Sequence, residues 1–136
     1  MKIPFEYRVQ IKEFHLDTFG HVNNAQYLML YEEARWDFIT ANGFGLDRIK
    51  SEKAGPVLLE TTVKFKRELI NREWITITSS PGEVNGKIMV IHQQMVKGDG
   101  KIASEASFSV GFMDLKERKL VAPPEDWLKA CGYHLE

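Results

Sequence analysis

The chain has 136 residues, a length typical of one domain with a single core, and we expect residues 1–136 to form one domain. Its 18 basic and 19 acidic residues give a formal net charge of −1, which excludes bulk electrostatic attraction to nucleic acid or to an anionic membrane. Cys131 has no second cysteine to pair with, and the charged N-terminus and the lack of a long apolar run predict a cytoplasmic protein with no membrane partner.

The first predicted element is a β-strand over residues 5–14, in which apolar and polar residues alternate. A polar loop, HLDTFGHVNN over residues 15–24, separates this strand from a long predicted helix over residues 24–43. The helix is predicted because apolar residues recur at steps of three and four along one face. These apolar residues are Tyr27, Leu30, Tyr31, Ala34, Phe38 and Ala41. The charged residues expected largely on the other face are Glu32, Glu33, Arg35 and Asp37. We expect Asn23 or Asn24 to cap the start of the helix and Gly43 to follow its end.

A short helical turn over residues 46–53 leads into four predicted strands. The strands lie within residues 57–68, 73–84, 87–97 and 102–115. Asn85-Gly86 and Asp99-Gly100 favour tight hairpin turns between them, and Pro81-Gly82 predicts a bulge. A short helix is predicted over residues 123–132. This order predicts an α+β fold in which an antiparallel sheet wraps around one long central helix.

The polar loop over residues 15–24 holds one carboxylate, two histidines and two amides, and it has three interpretations. The first is helix capping, in which short polar side chains bond free N–H groups and Gly20 permits the turn. The second is a metal site made of His15, Asp17 and His21. We expect no metal, because the loop is irregular and no third histidine lies nearby.

The third interpretation is a catalytic carboxylate beside a helix N-terminus. Free N–H groups and the positive end of the helix dipole can stabilise the oxyanion that forms when a carbonyl is attacked. Asp17 could deprotonate a water or attack directly, and Asn23 or Asn24 could orient the water or the carbonyl. A thioester suits such a sparse site, because a thiolate whose conjugate acid has a pKa of about 8.5 leaves with little acid assistance.

The segment DTFGHVNNAQY over residues 17–27 resembles the signature of hotdog-fold thioesterases of the 4-hydroxybenzoyl-CoA thioesterase type. The motif Glu33-Ala34-Arg35 and the order of strand, helix and four strands extend the resemblance over essentially the whole chain. A related branch, the Tol-Pal-associated thioesterases, carries a histidine where Asn24 stands. The resemblance therefore favours the long-chain acyl-CoA branch, in which an Asn-Asn pair is usual.

The resemblance implies a hotdog acyl-CoA thioesterase whose active sites lie at the subunit interface of a homodimer or homotetramer. A strand over residues 88–91 that is apolar on both sides also predicts a partner subunit. The resemblance makes Asp17 the general base or nucleophile and implies no cofactor. The amides that would polarise the thioester carbonyl lie near Val22, Asn23 and Asn24. The other implied residues are His21 as a structural support that bonds within the loop, Tyr27 at the acyl channel, and Lys66 and Arg67 at the CoA phosphates.

Two alternatives stay open from the sequence. One is a thioesterase that acts on acyl-carrier protein, which would recognise a protein surface and not a nucleotide. The other is a non-catalytic protein that binds acyl-CoA and leaves the thioester intact.

Overall fold

The computed structural model describes residues 5–134. Within this range, six strands form one antiparallel sheet: β1 (Phe5–Gln10), β2 (Ala54–Phe65), β3 (Trp74–Asn85), β4 (Ile88–Lys97), β5 (Ile102–Asp114) and β6 (Lys119–Val121). The helices are α1 (Asn24–Ala41), α2 (Leu46–Glu52) and α3 (Glu125–Ala130), with a 3-10 turn over Glu13–His15. The order across the sheet is β1-β3-β4-β5-β2, and β6 pairs with β5. The predicted α+β class with one long helix is confirmed.

The sheet curves around α1, and aromatic contacts show how. Phe38 of α1 stacks on Phe5 of β1 with ring centroids 4.4 Å apart, while Tyr31 meets the ring of Phe108 on β5 at 5.6 Å. Because β3 and β4 lie between β1 and β5, one helix can touch both strands only if the sheet bends around it. Burial of its apolar stripe fixes α1 against the sheet, and this fixes where the start of the helix lies.

Most local predictions are confirmed in position. The β3–β4 hairpin turns at Gly86, where φ is +65°, and Gly100 has φ of +85° in the next turn, a backbone region that glycine adopts readily. The pairing register of β3 with β4 shifts between Pro81 and Val84, so the predicted bulge is present. Among residues 5–134, no helix is long and apolar enough to cross a membrane.

Five details differ from the sequence predictions. The strand predicted within residues 57–68 is β2, which begins three residues earlier, at Ala54, and ends at Phe65, before Lys66. The first strand ends at Gln10, because the backbone N–H of Lys12 donates to Nδ1 of His15 at 2.9 Å and closes a 3-10 turn. Ala41, expected on the buried face, is exposed as the last residue of α1. Arg35, expected largely on the charged face, instead lies over the Phe108 ring at 4.1 Å. The three-residue strand β6 has too weak a pattern to be predicted.

Candidate active site

The loop between the 3-10 turn and α1 is closed by short backbone hydrogen bonds. Leu16 and Val22 form an antiparallel bridge, and the Asp17 N–H donates to the His21 carbonyl at 2.8 Å. Gly20 has φ of +81°, and its N–H donates to the Asp17 carbonyl at 3.2 Å. Glycine is favoured there because other residues adopt this left-handed backbone at a cost of roughly 1–2 kcal/mol. The turn therefore fixes the position of Asp17 where the two sides of the loop come together.

The Asp17 carboxylate is oriented by the backbone of its own loop. Its Oδ1 accepts hydrogen bonds from the N–H groups of Phe19 at 2.8 Å and His21 at 3.3 Å. Within residues 5–134, the hydrogen bonds of this carboxylate all go to Oδ1, so Oδ2 is available to a water or a substrate. Two N–H donors on one oxygen fix the plane of the carboxylate.

The start of α1 leaves one backbone donor open. Asn23 is the N-cap, and its side-chain oxygen accepts from the Ala25 N–H at 2.9 Å. The N–H of Val22 donates to the Leu69 carbonyl and the N–H of Asn23 donates to the His15 carbonyl, so both are engaged in the fold. Among the backbone N–H groups of residues 22–24, only that of Asn24, the first residue of α1, has no acceptor within the described part of the chain. This donor lies at the positive end of the helix dipole.

The opposite wall of the site is the segment that follows β2. The backbone N–H groups of Lys66 and Arg67 both donate to the Ala103 carbonyl, at 2.8 and 3.0 Å, which fixes this segment to β5. Lys66 forms a salt bridge with Glu105, with Nζ and Oε1 3.1 Å apart. Arg67 forms no salt bridge with any residue that the structure describes, so its guanidinium can bind an anion without losing a partner.

The two walls are joined by a contact between a loop histidine and the strand segment. His21 Nε2 lies 2.7 Å from Oε2 of Glu68. The backbone of His21 forms hydrogen bonds with Asp17, which agrees with the predicted bonding within the loop. Its imidazole, however, contacts Glu68 outside the loop. The sequence prediction missed Glu68, and its only signal was its place next to Lys66 and Arg67.

All the predicted site residues line one concavity of about 440 Å³. Its lining consists of Asp17, His21, Val22, Asn23, Asn24, Tyr27, Phe65, Lys66, Arg67 and Glu68. Phe65 was also missed by the sequence prediction. One side of the concavity thus holds the carboxylate and the helix start, and the other holds the two basic residues.

Tyr27 forms the apolar floor at the start of α1. The residue is buried, and its ring meets the Phe65 ring edge-on with centroids 4.9 Å apart. Burial, followed by the nearby charges of Glu73 and Glu68, raises the pKa of its hydroxyl, so Tyr27 stays neutral. Its ring therefore contributes an apolar part of the lining of the concavity.

His15 supports the loop from beneath. It is 7% exposed, its Nδ1 accepts from the Lys12 N–H, and its carbonyl accepts from the Asn23 N–H at 2.9 Å. Burial lowers the pKa of this imidazole, so the neutral form is favoured in the folded protein. Among residues 5–134, no group of three His, Cys, Asp or Glu side chains is arranged to hold a metal ion.

Comparisons with known proteins agree with this architecture. Residues 9–131 match the model of the thioesterase-like superfamily. The chain is 29% identical over 116 residues to the long-chain acyl-CoA thioesterase FadM of Escherichia coli, a match that covers 85% of this chain and 87% of the relative.

Solved structures share the fold. The probable thioesterase YbaW from Escherichia coli superimposes with a TM-score of 0.83 at 26% identity, over 94% of this chain and 98% of that chain. A hypothetical protein from Staphylococcus aureus, solved in complex with CoA, superimposes with a TM-score of 0.88 at 19% identity, over 96% of this chain and 82% of that chain. The predicted hotdog fold is confirmed.

Proposed function

The chain belongs to the thioesterase-like superfamily, and on that premise we propose that it is a one-domain, cytoplasmic acyl-CoA thioesterase. The single observation that carries the proposal is the position of Asp17: it lines the same concavity as Asn24, the first residue of α1, whose backbone N–H has no acceptor among residues 5–134. A reacting carbonyl bound there would have a base or nucleophile on one side and an oxyanion donor on the other. The name of the Escherichia coli relative, a long-chain acyl-CoA thioesterase, supports the choice of substrate class.

Hydrolysis can follow two routes from this arrangement. In the first, Asp17 Oδ2 takes a proton from a water, whose oxygen attacks the thioester carbon. The C–S bond then breaks, and the thiolate leaves and is protonated. In the second, Oδ2 attacks the carbon itself and expels the thiolate, and water then cleaves the resulting anhydride and restores Asp17. In both routes the Asn24 N–H and the helix dipole stabilise the negative charge on the carbonyl oxygen.

The basic residues on the second wall are suited to the charged part of CoA. The Arg67 guanidinium is a planar donor without a carboxylate partner among the described residues, and such a group binds phosphate oxygens bidentately. Lys66 can contribute charge while it remains paired with Glu105. Tyr27 and Phe65 lie next to these residues and can cover the first carbons of the acyl group.

The enzyme is also proposed to be a homo-oligomer. Strand β2 is at one edge of the sheet, so one side of its backbone has no neighbouring strand within residues 5–134. Large apolar side chains are exposed on this strand and on the adjacent face of α1: Leu28, Met29, Leu58, Leu59 and Phe65. A second copy placed against β2 would cover them and would complete the site from outside.

The direct test is release of free thiol from a panel of acyl-CoA substrates by the purified protein. We expect hydrolysis of long-chain acyl-CoA, with a higher kcat/KM than for the same acyl group on acyl-carrier protein at matched concentration. Faster hydrolysis of the protein-borne substrate would assign the enzyme to acyl-carrier protein. Binding of acyl-CoA with no release of thiol from any substrate would show a non-catalytic binding protein.

A further inference from the structure

A second cavity, of about 120 Å³, lies between α1 and the edge strand β2, away from the Asp17 loop. It is lined mainly by apolar side chains, among them Trp36, Ile39, Leu58 and Trp127. One water needs only about 10–15 Å³ of such volume, so the cavity can hold several atoms of a ligand. Two charged residues, Glu32 and Arg35, also line it and make it unlike an ordinary apolar void.

Arg35 brings spare hydrogen-bond donors to this cavity. Its Nη1 donates to Oε1 of Gln93 at 2.9 Å, and its guanidinium lies 4.1 Å from the centre of the Phe108 ring. Burial lowers its pKa to about 10, so the guanidinium is still charged at neutral pH. It carries five N–H donors, and among residues 5–134 it forms no salt bridge with a carboxylate. Several of its donors are therefore available to a ligand.

The side chain that holds Arg35 is itself fixed. Gln93 is 1% exposed, and its Nε2 donates to the Tyr31 carbonyl at 3.1 Å and to Ser79 Oγ at 2.9 Å. These bonds set the orientation of the Gln93 amide, so its oxygen faces Arg35. The guanidinium is thus held in one position, as a group that recognises a ligand must be.

Glu32 places an acceptor at the same cavity. It lies three residues before Arg35 on α1, so the two side chains are neighbours on one face of the helix. Its negative charge favours the charged form of Arg35. A cavity with a donor and an acceptor side by side is complementary to a group that both accepts and donates a hydrogen bond.

The proposed active site and the cavity lie at two points along the same contact between α1 and β2. At one end of α1, Tyr27 contacts Phe65 of β2, and further along, Arg35 shares the cavity with Leu58. Helix and strand therefore run side by side in opposite directions. Arg35 lies eleven positions after Asn24, which corresponds to about 16 Å along the helix axis.

The strip between the two ends is mainly apolar. On β2 the residues opposite the buried Ser104, Ala106, Phe108 and Val110 of β5 are Phe65, Val63, Thr61 and Leu58, so they face α1. On α1, Leu28 lies one turn from Asn24 and one turn from Glu32, and it is 43% exposed. An acyl chain laid along this strip, between it and the second copy proposed above, would reach the cavity with its far end.

We propose that this cavity binds the distal part of the acyl chain and that Glu32 and Arg35 select acyl groups with a hydroxyl far from the thioester. The inference rests on the proposed thioesterase function. The hydroxyl oxygen accepts from Arg35, and its hydrogen is donated to Glu32. A distal carboxylate would be attracted by Arg35 but repelled by the adjacent Glu32, whereas a hydroxyl can bond both groups, and a plain methyl end would leave both charged groups without a ligand partner.

The test compares three acyl-CoA substrates of equal chain length, with a plain, a hydroxylated or a carboxylated far end. We expect the wild type to show a kcat/KM for the hydroxylated chain roughly ten-fold above that for the plain chain, the effect of one charge-assisted hydrogen bond. Arg35→Met should abolish this ratio, and the matched substitution Arg8→Met, on β1 away from the cavity, should keep it. Equal rates on the plain and hydroxylated chains, or a ratio that survives Arg35→Met, would overturn the proposal.

A second variant keeps the test meaningful if Arg35→Met does not fold. Glu32 is exposed, and Glu32→Gln should reduce the preference for hydroxyl and raise kcat/KM for the carboxylated chain at least several-fold. Unchanged ratios of kcat/KM among the three substrates in Glu32→Gln would refute the assignment of this pair.

A binding measurement distinguishes failure of this inference from failure of the proposed function. Dissociation constants of non-hydrolysable thioether analogues of the plain and hydroxylated substrates are measured by calorimetry with wild type and Glu32→Gln. Tighter binding of the hydroxylated analogue to wild type, reduced in Glu32→Gln, supports the inference even if no thioester is hydrolysed. Equal binding overturns it even if hydrolysis is fast.

Discussion

The Asp17 carboxylate obtains its orientation from two backbone N–H groups, those of Phe19 and His21, and not from a neighbouring side chain. Both donors lie within four residues of Asp17, and for that reason the loop could be recognised from the sequence alone. Contacts between distant segments could not. The salt bridge of Lys66 with Glu105 depends on how β2 pairs with β5, and the contact of His21 with Glu68 depends on how the loop meets the segment after β2. No local pattern contains either pairing.

At the same scale, Arg67 and Lys64 differ in position although they are close in the chain. Arg67 lines the concavity with Asp17, whereas Lys64 lies at a different concavity, formed by β2, β4 and β5. We expect Arg67→Met to raise KM for acyl-CoA roughly ten-fold, because one charge-assisted phosphate contact is lost. Lys64→Met is the matched control and should leave KM within about two-fold.

Acyl-pantetheine, which lacks the nucleotide, shows whether this effect comes from the phosphates. Arg67→Met should leave its KM unchanged. An equal rise for acyl-CoA and acyl-pantetheine, or an equal effect of Lys64→Met, would argue against a phosphate contact of Arg67.

At the scale of elements, the sequence predicts those with a strong repeating pattern and fails where a pattern is short or interrupted. Strands β2 to β5 and helix α1, each at least ten residues long, were predicted from alternation, from apolar segments bounded by turn residues, or from helical spacing. The end of β1 was not, because the bond between Lys12 and His15 converts residues 13–15 into a 3-10 turn. The predicted face of Arg35 was wrong, because its long aliphatic stem can lie along apolar surface while its guanidinium donates to Gln93.

The 3-10 turn supplies a pH prediction through His15. The folded protein favours the neutral imidazole, so its pKa in the folded state is below the value of about 6.5 in the unfolded chain. As pH falls below 6.5, the unfolded chain binds the additional proton first, and the free energy of unfolding decreases. We expect His15→Gln to show a smaller loss of stability between pH 7 and pH 5 than the wild type.

Denaturant unfolding at pH 7, 6 and 5 measures this difference. His134→Gln, which changes an exposed histidine near the end of the described chain, is the control and should retain the wild-type dependence. If His15→Gln loses as much stability on acidification as the wild type, burial of His15 does not contribute to the acid sensitivity.

At the scale of the whole molecule, the sheet has an open edge and an apolar strip next to it. The predicted strand around residues 88–91 is apolar on both sides, as expected: Met89 and Ile91 are buried, while Ile88 is 40% exposed on the outer face. The sequence thus indicates exposed apolar surface, but the pattern of one chain does not identify which surface a second copy covers. The exposed residues of α1 and β2 make the β2 edge the better candidate.

A charge placed on this surface tests the proposed association. Met29 is 62% exposed on α1, and Met29→Lys should shift the protein from oligomer toward monomer, because a lysine in an apolar interface has to be desolvated. Thr40→Lys, an exposed position near the other end of α1, should leave the mass unchanged. Sedimentation velocity over a range of concentrations measures both. A wild-type protein that is monomeric at all concentrations would contradict the proposed assembly.

The measurement that tests the central proposal most directly is release of CoA by wild type and by Asp17→Asn under single-turnover conditions. Asparagine keeps an oxygen that can accept from Phe19 and His21, so the loop and the unfolding temperature should be preserved. We expect the rate to fall at least about 100-fold, the usual contribution of a positioned base or nucleophile. An Asp17→Asn protein that releases CoA at the wild-type rate would contradict the assignment of Asp17 as the catalytic residue.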